Sequence, residues 1–98
     1  MAKKTNTLVN SKPEFKIGEV YKTTDSTAVR KGPGFHNSVK LNAILMTDGK
    51  RHKLNTNGEL DAGTPILCKE TAEVAGNIWV KCPSGWVIGY CDGRTLLI

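Results

Sequence analysis

Three cysteines and two histidines are the residues of this chain best suited to bond-making chemistry, and their spacing argues against it. Cys68, Cys82 and Cys91 form no Cys-x-x-Cys pair, and His36 and His52 lie far from all three in sequence. A structural zinc site draws on closer pairs. The odd count speaks against a secreted disulfide framework and for reduced thiols in a reducing compartment. A cysteine nucleophile needs an imidazole or another activating charge beside it. Cys68 and Cys82 instead fall in apolar alternating segments, where they read as small buried hydrophobes, and Cys91 follows Tyr90 in a short loop. The nine acids are scattered over turns and surface stretches, whereas glycoside cleavage needs two acids poised across one groove. The expectation is no catalytic group, no metal and no cofactor.

Other residues suit recognition. The segment Ala28-Val-Arg-Lys-Gly-Pro-Gly-Phe35 runs from an alternating stub through an arginine into a Gly-Pro-Gly turn. Phe35 follows that turn and is expected to be at least partly exposed; a flat ring buries area at low entropic cost, which suits sugar faces and flexible peptides. His36 and Asn37 offer hydrogen bonds on the same turn, where Asn also serves ordinary turn chemistry. Arg30 suits bidentate pairing with a ligand carboxylate, or an internal pair with Asp25 or Glu19. Trp79 and Trp86 read first as core, whereas Tyr21 and Tyr90, with their polar tips, read as rim residues. Arg51, His52 and Lys53, beside Lys50, form a basic group suited to phosphate-bearing polymers or simply to keeping a hairpin soluble. The candidate ligand-binding set is therefore Tyr21, Arg30, Phe35, His36, Asn37, Arg51, His52, Lys53, Trp79 and Tyr90.

Short strands must position these residues. No window holds a period of 3.6, so helix content is expected to be low. Residues 19–23 and 26–30 alternate and are rich in β-formers; residues 39–47 and 50–56 flank Asp48-Gly49, a strong hairpin signal. Further strands are expected over 65–70, 78–82, 86–88 and 94–98, separated by Gly76-Asn77, Pro83-Ser84-Gly85 and Asp92-Gly93. Period two places Ile66 with Cys68 on one face, and Trp79 with Lys81 outward while Val80 and Cys82 point inward. Strands this short, with turns every 8–12 residues or so, read as a sandwich or barrel. Residues 1–17 lack either period, contain Pro13, and read as a linker or flexible arm ahead of one domain over 18–98.

In order and spacing, Val29-Arg30, Gly32-Pro33, Gly63-Thr64, Trp79-Val-Lys-Cys82 and Gly85-Trp86-Val87 resemble the bacterial Src-homology-3-like (SH3b) family. The chain departs from that pattern at Asn37, where a Tyr is common, and in the longer stretch 40–61 that holds the Asp48-Gly49 hairpin. That longer version is similar to the C-terminal domains of phage lysins. The resemblance implies an all-β, small SH3-type barrel of mostly antiparallel strands. It also implies a non-catalytic role, binding peptidoglycan or an anionic polymer of the Gram-positive wall and anchoring a covalent or associated hydrolase domain there.

The 98 residues carry a net charge of +5, much of it in the lysines of the first sixteen positions. An alternative is therefore a small basic barrel that binds single-stranded nucleic acid; docking of a Pro-rich peptide comes third, because no close acidic and aromatic cluster supports it. Neither a signal peptide nor a membrane-length apolar run is visible. The expectation is synthesis in the cytoplasm, action at the bacterial wall, no membrane partner, and oligomerisation left open.

Overall fold

A computed structural model of the protein describes residues 12–98. No helix forms among them; eight strands run β1 Val20–Lys22, β2 Ile44–Met46, β3 Arg51–Lys53, β4 Pro65–Leu67, β5 Glu70–Val74, β6 Asn77–Cys82, β7 Gly85–Cys91 and β8 Arg94–Thr95. They pair antiparallel throughout, as β1 with β4, β2 with β3, and the meander β5-β6-β7-β8. The three sheets are stitched together by backbone hydrogen bonds: Lys22 exchanges two with Ile98, Leu67 donates to Thr47, and Lys69 donates to Lys81. The all-β architecture is the one expected from the turn spacing.

Alternation builds the core. Val29, Leu60, Ile66, Val80, Val87 and Leu97 are fully buried, each worth about 1.5–3 kcal/mol by the area it removes from water. Cys68 and Cys82 join them as free, buried thiols. The side of β6 that carries Val80 and Cys82 faces this core, as period two requires.

Several elements differ from the sequence reading. Residues 26–30 form no strand; Thr27 makes an isolated bridge to Leu60 and Arg30 to Val39 and Trp86, while Val29 between them is buried in the core. The expected strand over 65–70 breaks after Leu67, and a separate strand, β5, follows. It turns into β6 through Ala75 and Gly76, both at positive φ, as a two-residue type I′ connection demands. Its exposed edge position removes the apolar alternation by which a strand is recognised. Cys91 ends β7 rather than lying in a loop. At the Asp48-Gly49 hairpin Met46 pairs with Arg51, so the connection has four residues, not two. Of the two, only Gly49 has positive φ, and the Asp48 carboxylate instead accepts from the Lys50 amide at 3.1 Å.

The arm also departs from expectation in its second half. Phe15 is only 7% exposed and belongs to the core. It lies edge-on to Tyr21, with centroids 5.1 Å apart, and over Gly89, where an added Cβ would meet its ring at 2.8 Å. Phe15 thus ties the end of the arm to the sheets while its neighbours Glu14, Lys16 and Ile17 stay exposed, and Lys3 and Lys4 lie outside the described residues.

Candidate functional site

Arg30 organises the turn that follows it. Its backbone exchanges two hydrogen bonds with Trp86 on β7, at 2.8 and 2.9 Å, which fixes where the turn leaves the sheet. Lys31 then donates to the Ser38 carbonyl, closing the loop at its neck. Inside it, the Arg30 Nη1 donates to the Phe35 carbonyl at 3.2 Å and to the Asn37 carbonyl at 2.9 Å. Asn37 Nδ2 donates to the Pro33 carbonyl at 2.7 Å. Gly34 sits at φ 115° with the His36 ring where a Cβ would be, so only glycine serves there.

This bonding corrects one expectation. The internal partners of Arg30 are backbone carbonyls; Asp25 pairs with Arg94 instead, at 3.0 Å. Both bonds leave one nitrogen, Nη1, whose two hydrogens lie in the fixed plane of the guanidinium and reach two carbonyls of one turn.

The tied turn presents Phe35. Phe35 as a residue is 54% exposed, with the Arg30 guanidinium carbon 5.4 Å from its ring centroid. Its inner side meets Trp79 edge-on, centroids 5.0 Å apart at 74°. Trp79 is only 1% exposed although its strand alternation turns it away from Val80 and Cys82 and out of the core cluster. The outward face of β6 at Trp79 is thus covered by a turn more than forty residues earlier in the chain.

A cleft of about 200 Å³ opens beside this pair. Trp79, its cross-strand neighbour Ile88, Arg30 and Phe35 line it, facing Ser26, Thr27, Ala28 and Glu59. A second hollow of about 160 Å³ shares Ser26, Thr27 and Ile88 with the first and runs on to the Asp25–Arg94 pair. The first hollow is the candidate groove, and the second adjoins it along these shared residues. A larger hollow, about 330 Å³, lies between residues 12–15 and β5, apart from every candidate residue.

The structure brings together Arg30, Phe35, Asn37 and Trp79, with His36 beside Asn37 at 3.4 Å. The other candidates lie elsewhere. Tyr21 is engaged with the arm: it packs on Phe15, and its hydroxyl accepts from the Lys16 amide at 2.7 Å. Tyr90, half-buried on β7, lines neither the groove nor the hollow beside it. On the hairpin, Arg51 and Lys53 are exposed and stand opposite Met46 and Ile44, so basic and apolar side chains share the outer face. His52 takes the other face with buried Leu45 and bonds Asp48 at 2.8 Å. That hydrogen bond from His52 holds the Asp48 carboxyl below its ordinary value. The hairpin is braced by the Met46 amide, which donates to Ser84 Oγ at 2.7 Å.

Ser26, Thr27, Ala28, Glu59 and Ile88 are groove residues that the sequence reading missed. Ile88 was within reach, being two residues from Trp86 on the strand that pairs with β6; Glu59 and the small residues carry no distinguishing signal.

The cysteines are placed against nucleophilic chemistry. Burial pushes the Cys68 and Cys82 thiols up, and at Cys91 desolvation and the Asp92 charge do the same. Among the described residues no three His, Cys, Asp or Glu side chains come together as a metal would need. Compared with models of protein families, with curated proteins and with solved structures, the chain finds no match.

Proposed function

We propose that this protein is a non-catalytic module of SH3-type barrel architecture that binds the Gram-positive cell wall, with the groove under Phe35 as its ligand site. One observation carries the reading: a large aromatic ring is held half out in solvent by three side-chain hydrogen bonds spent on the turn that bears it. A turn needed only as a connection has no use for such bracing, and exposed apolar area at the mouth of a cleft marks contact with a ligand. The wall peptide or sugar supplies the flat or extended surface such a site takes. Its attachment to a hydrolase, which the protein would hold on its substrate, completes the proposed role.

Arg51 and Lys53 add a second contact, to anionic wall polymer, through the outer face of the hairpin. That same basic face is what favours the rival reading, single-stranded nucleic acid. Cosedimentation decides between them. The protein should pellet with purified Gram-positive walls at both low and high salt, and remain in the supernatant once the walls are digested. Failure to pellet, together with steeply salt-dependent binding to any oligonucleotide, would replace the wall with nucleic acid.

A further inference from the structure

Two sets of unpaired polar groups, both on residues that line the groove, bear on how a ligand would lie in it. The first is the Nε1–H of Trp79: it is buried and has no acceptor among the described residues. Buried donors are nearly always paired, and leaving one unpaired costs about 1–3 kcal/mol. The second is the groove wall. Thr27 exchanges both of its backbone hydrogen bonds with Leu60, at 3.0 and 2.8 Å, as one member of an antiparallel pair. In such a pair the backbone groups of the neighbouring residues point away from the partner. Those neighbours, Ser26 and Ala28, make no hydrogen bond with any described residue, and both line the groove. Their side chains are small enough to let another backbone approach.

We propose that an extended peptide of the wall binds along Ser26–Ala28 as an added strand, and that one of its carbonyls accepts the Trp79 Nε1–H as Phe35 swings aside. The ligand class follows from the chemistry of the wall. A strand edge offers a donor and an acceptor from alternate residues, a repeat that a peptide matches and a glycan does not. Phe35 is the movable part because it is half exposed and sits edge-on over Trp79, whereas Trp79 is fixed in β6. The displaced ring then packs against the seated peptide. The inference rests on the reading of this groove as the wall-ligand site, and it adds which component is read and by which atoms.

The test uses the intact protein, labelled with nitrogen-15, and peptides freed from purified Gram-positive walls by an amidase. On titration the Trp79 indole proton should move downfield and exchange about tenfold more slowly, as an ordinary hydrogen bond would cause. The Ser26 and Ala28 amides should shift with it, while the Trp86 indole stays in place. A second arm needs no ligand: Phe35→Ala should speed exchange of the Trp79 indole proton while the rest of the amide spectrum stays folded. Unchanged exchange in that variant would show that Phe35 is not the cover. Should walls pellet the protein while the freed peptides leave Trp79 and Ala28 unmoved, the strand-addition inference fails and the wall reading stands. Absence of wall binding would sink both.

Discussion

Two phenylalanines of this protein meet an aromatic neighbour in nearly the same way, and they do opposite things. Phe15 lies edge-on to Tyr21 at 5.1 Å, and Phe35 edge-on to Trp79 at 5.0 Å. Phe15 is 7% exposed and seals the core over Gly89; Phe35 is 54% exposed and lies over the groove. The pair geometry is therefore no guide to role. What separates them is where the backbone hydrogen bonding goes. At Phe15 the Lys16 amide donates to Tyr21, drawing the arm down, whereas Arg30 and Asn37 hold the Phe35 turn up from within.

Truncation should separate the two most strongly. Phe15→Ala removes a core ring and is expected to cost about 3–5 kcal/mol; a thermal midpoint left close to that of the parent would return residues 12–17 to the status of a linker. Phe35→Ala, by contrast, forfeits mainly the edge contact with Trp79, on the order of 0.5–1.5 kcal/mol. A loss as large as that of Phe15→Ala would make Phe35 a core residue. Arg30→Lys tests the bracing itself. Lysine lacks the planar fork, so a loss of about 1 kcal/mol is expected, with weaker wall binding; unchanged chemical denaturation would mean the turn holds itself.

The hairpin should behave as neither region does. Replacing Arg51 and Lys53 by serine leaves folding intact and flattens the dependence of binding on salt, by up to about two units of slope if each cation meets one phosphate. An unchanged slope removes the hairpin from the interface. The smallest effect is expected at Asp48. Its folded-state pKa is depressed, so its stabilising contribution is present above the ordinary carboxylate value of 3.8 and is lost as pH falls through the lower folded value. Asp48→Asn should erase that acid-side loss; a variant whose acid unfolding curve superimposes on the parent's would show that the His52 bond contributes nothing.

Much of the frame was legible from residue order. Asp92-Gly93 does turn β7 into β8, with both residues at positive φ, and Ile66, Cys68, Val80 and Cys82 point inward as alternation says. Phe35 could be read as exposed because a Gly-Pro-Gly turn leads into it. The burial of Trp79 agrees with its reading by residue type as core, but alternation puts it on the outward side of its strand, and a distant turn decides what covers that side. Phe15 was hidden for a related reason: one ring in an aperiodic arm carries no pattern, and only Gly89 far along the chain makes room for it. Likewise Ser26, Ala28 and Glu59 are unremarkable in type, and their role comes from being brought opposite Trp79.

The central claim is that the braced Phe35 turn is the wall-binding element, and binding isotherms of the parent and Phe35→Ala on purified Gram-positive peptidoglycan test it most directly. The account predicts that the variant stays folded, keeps most of its thermal stability, and loses about tenfold or more in affinity, the factor set by 1.4 kcal/mol of lost contact. Equal affinity in a folded variant would contradict it and place the ligand site elsewhere on the molecule.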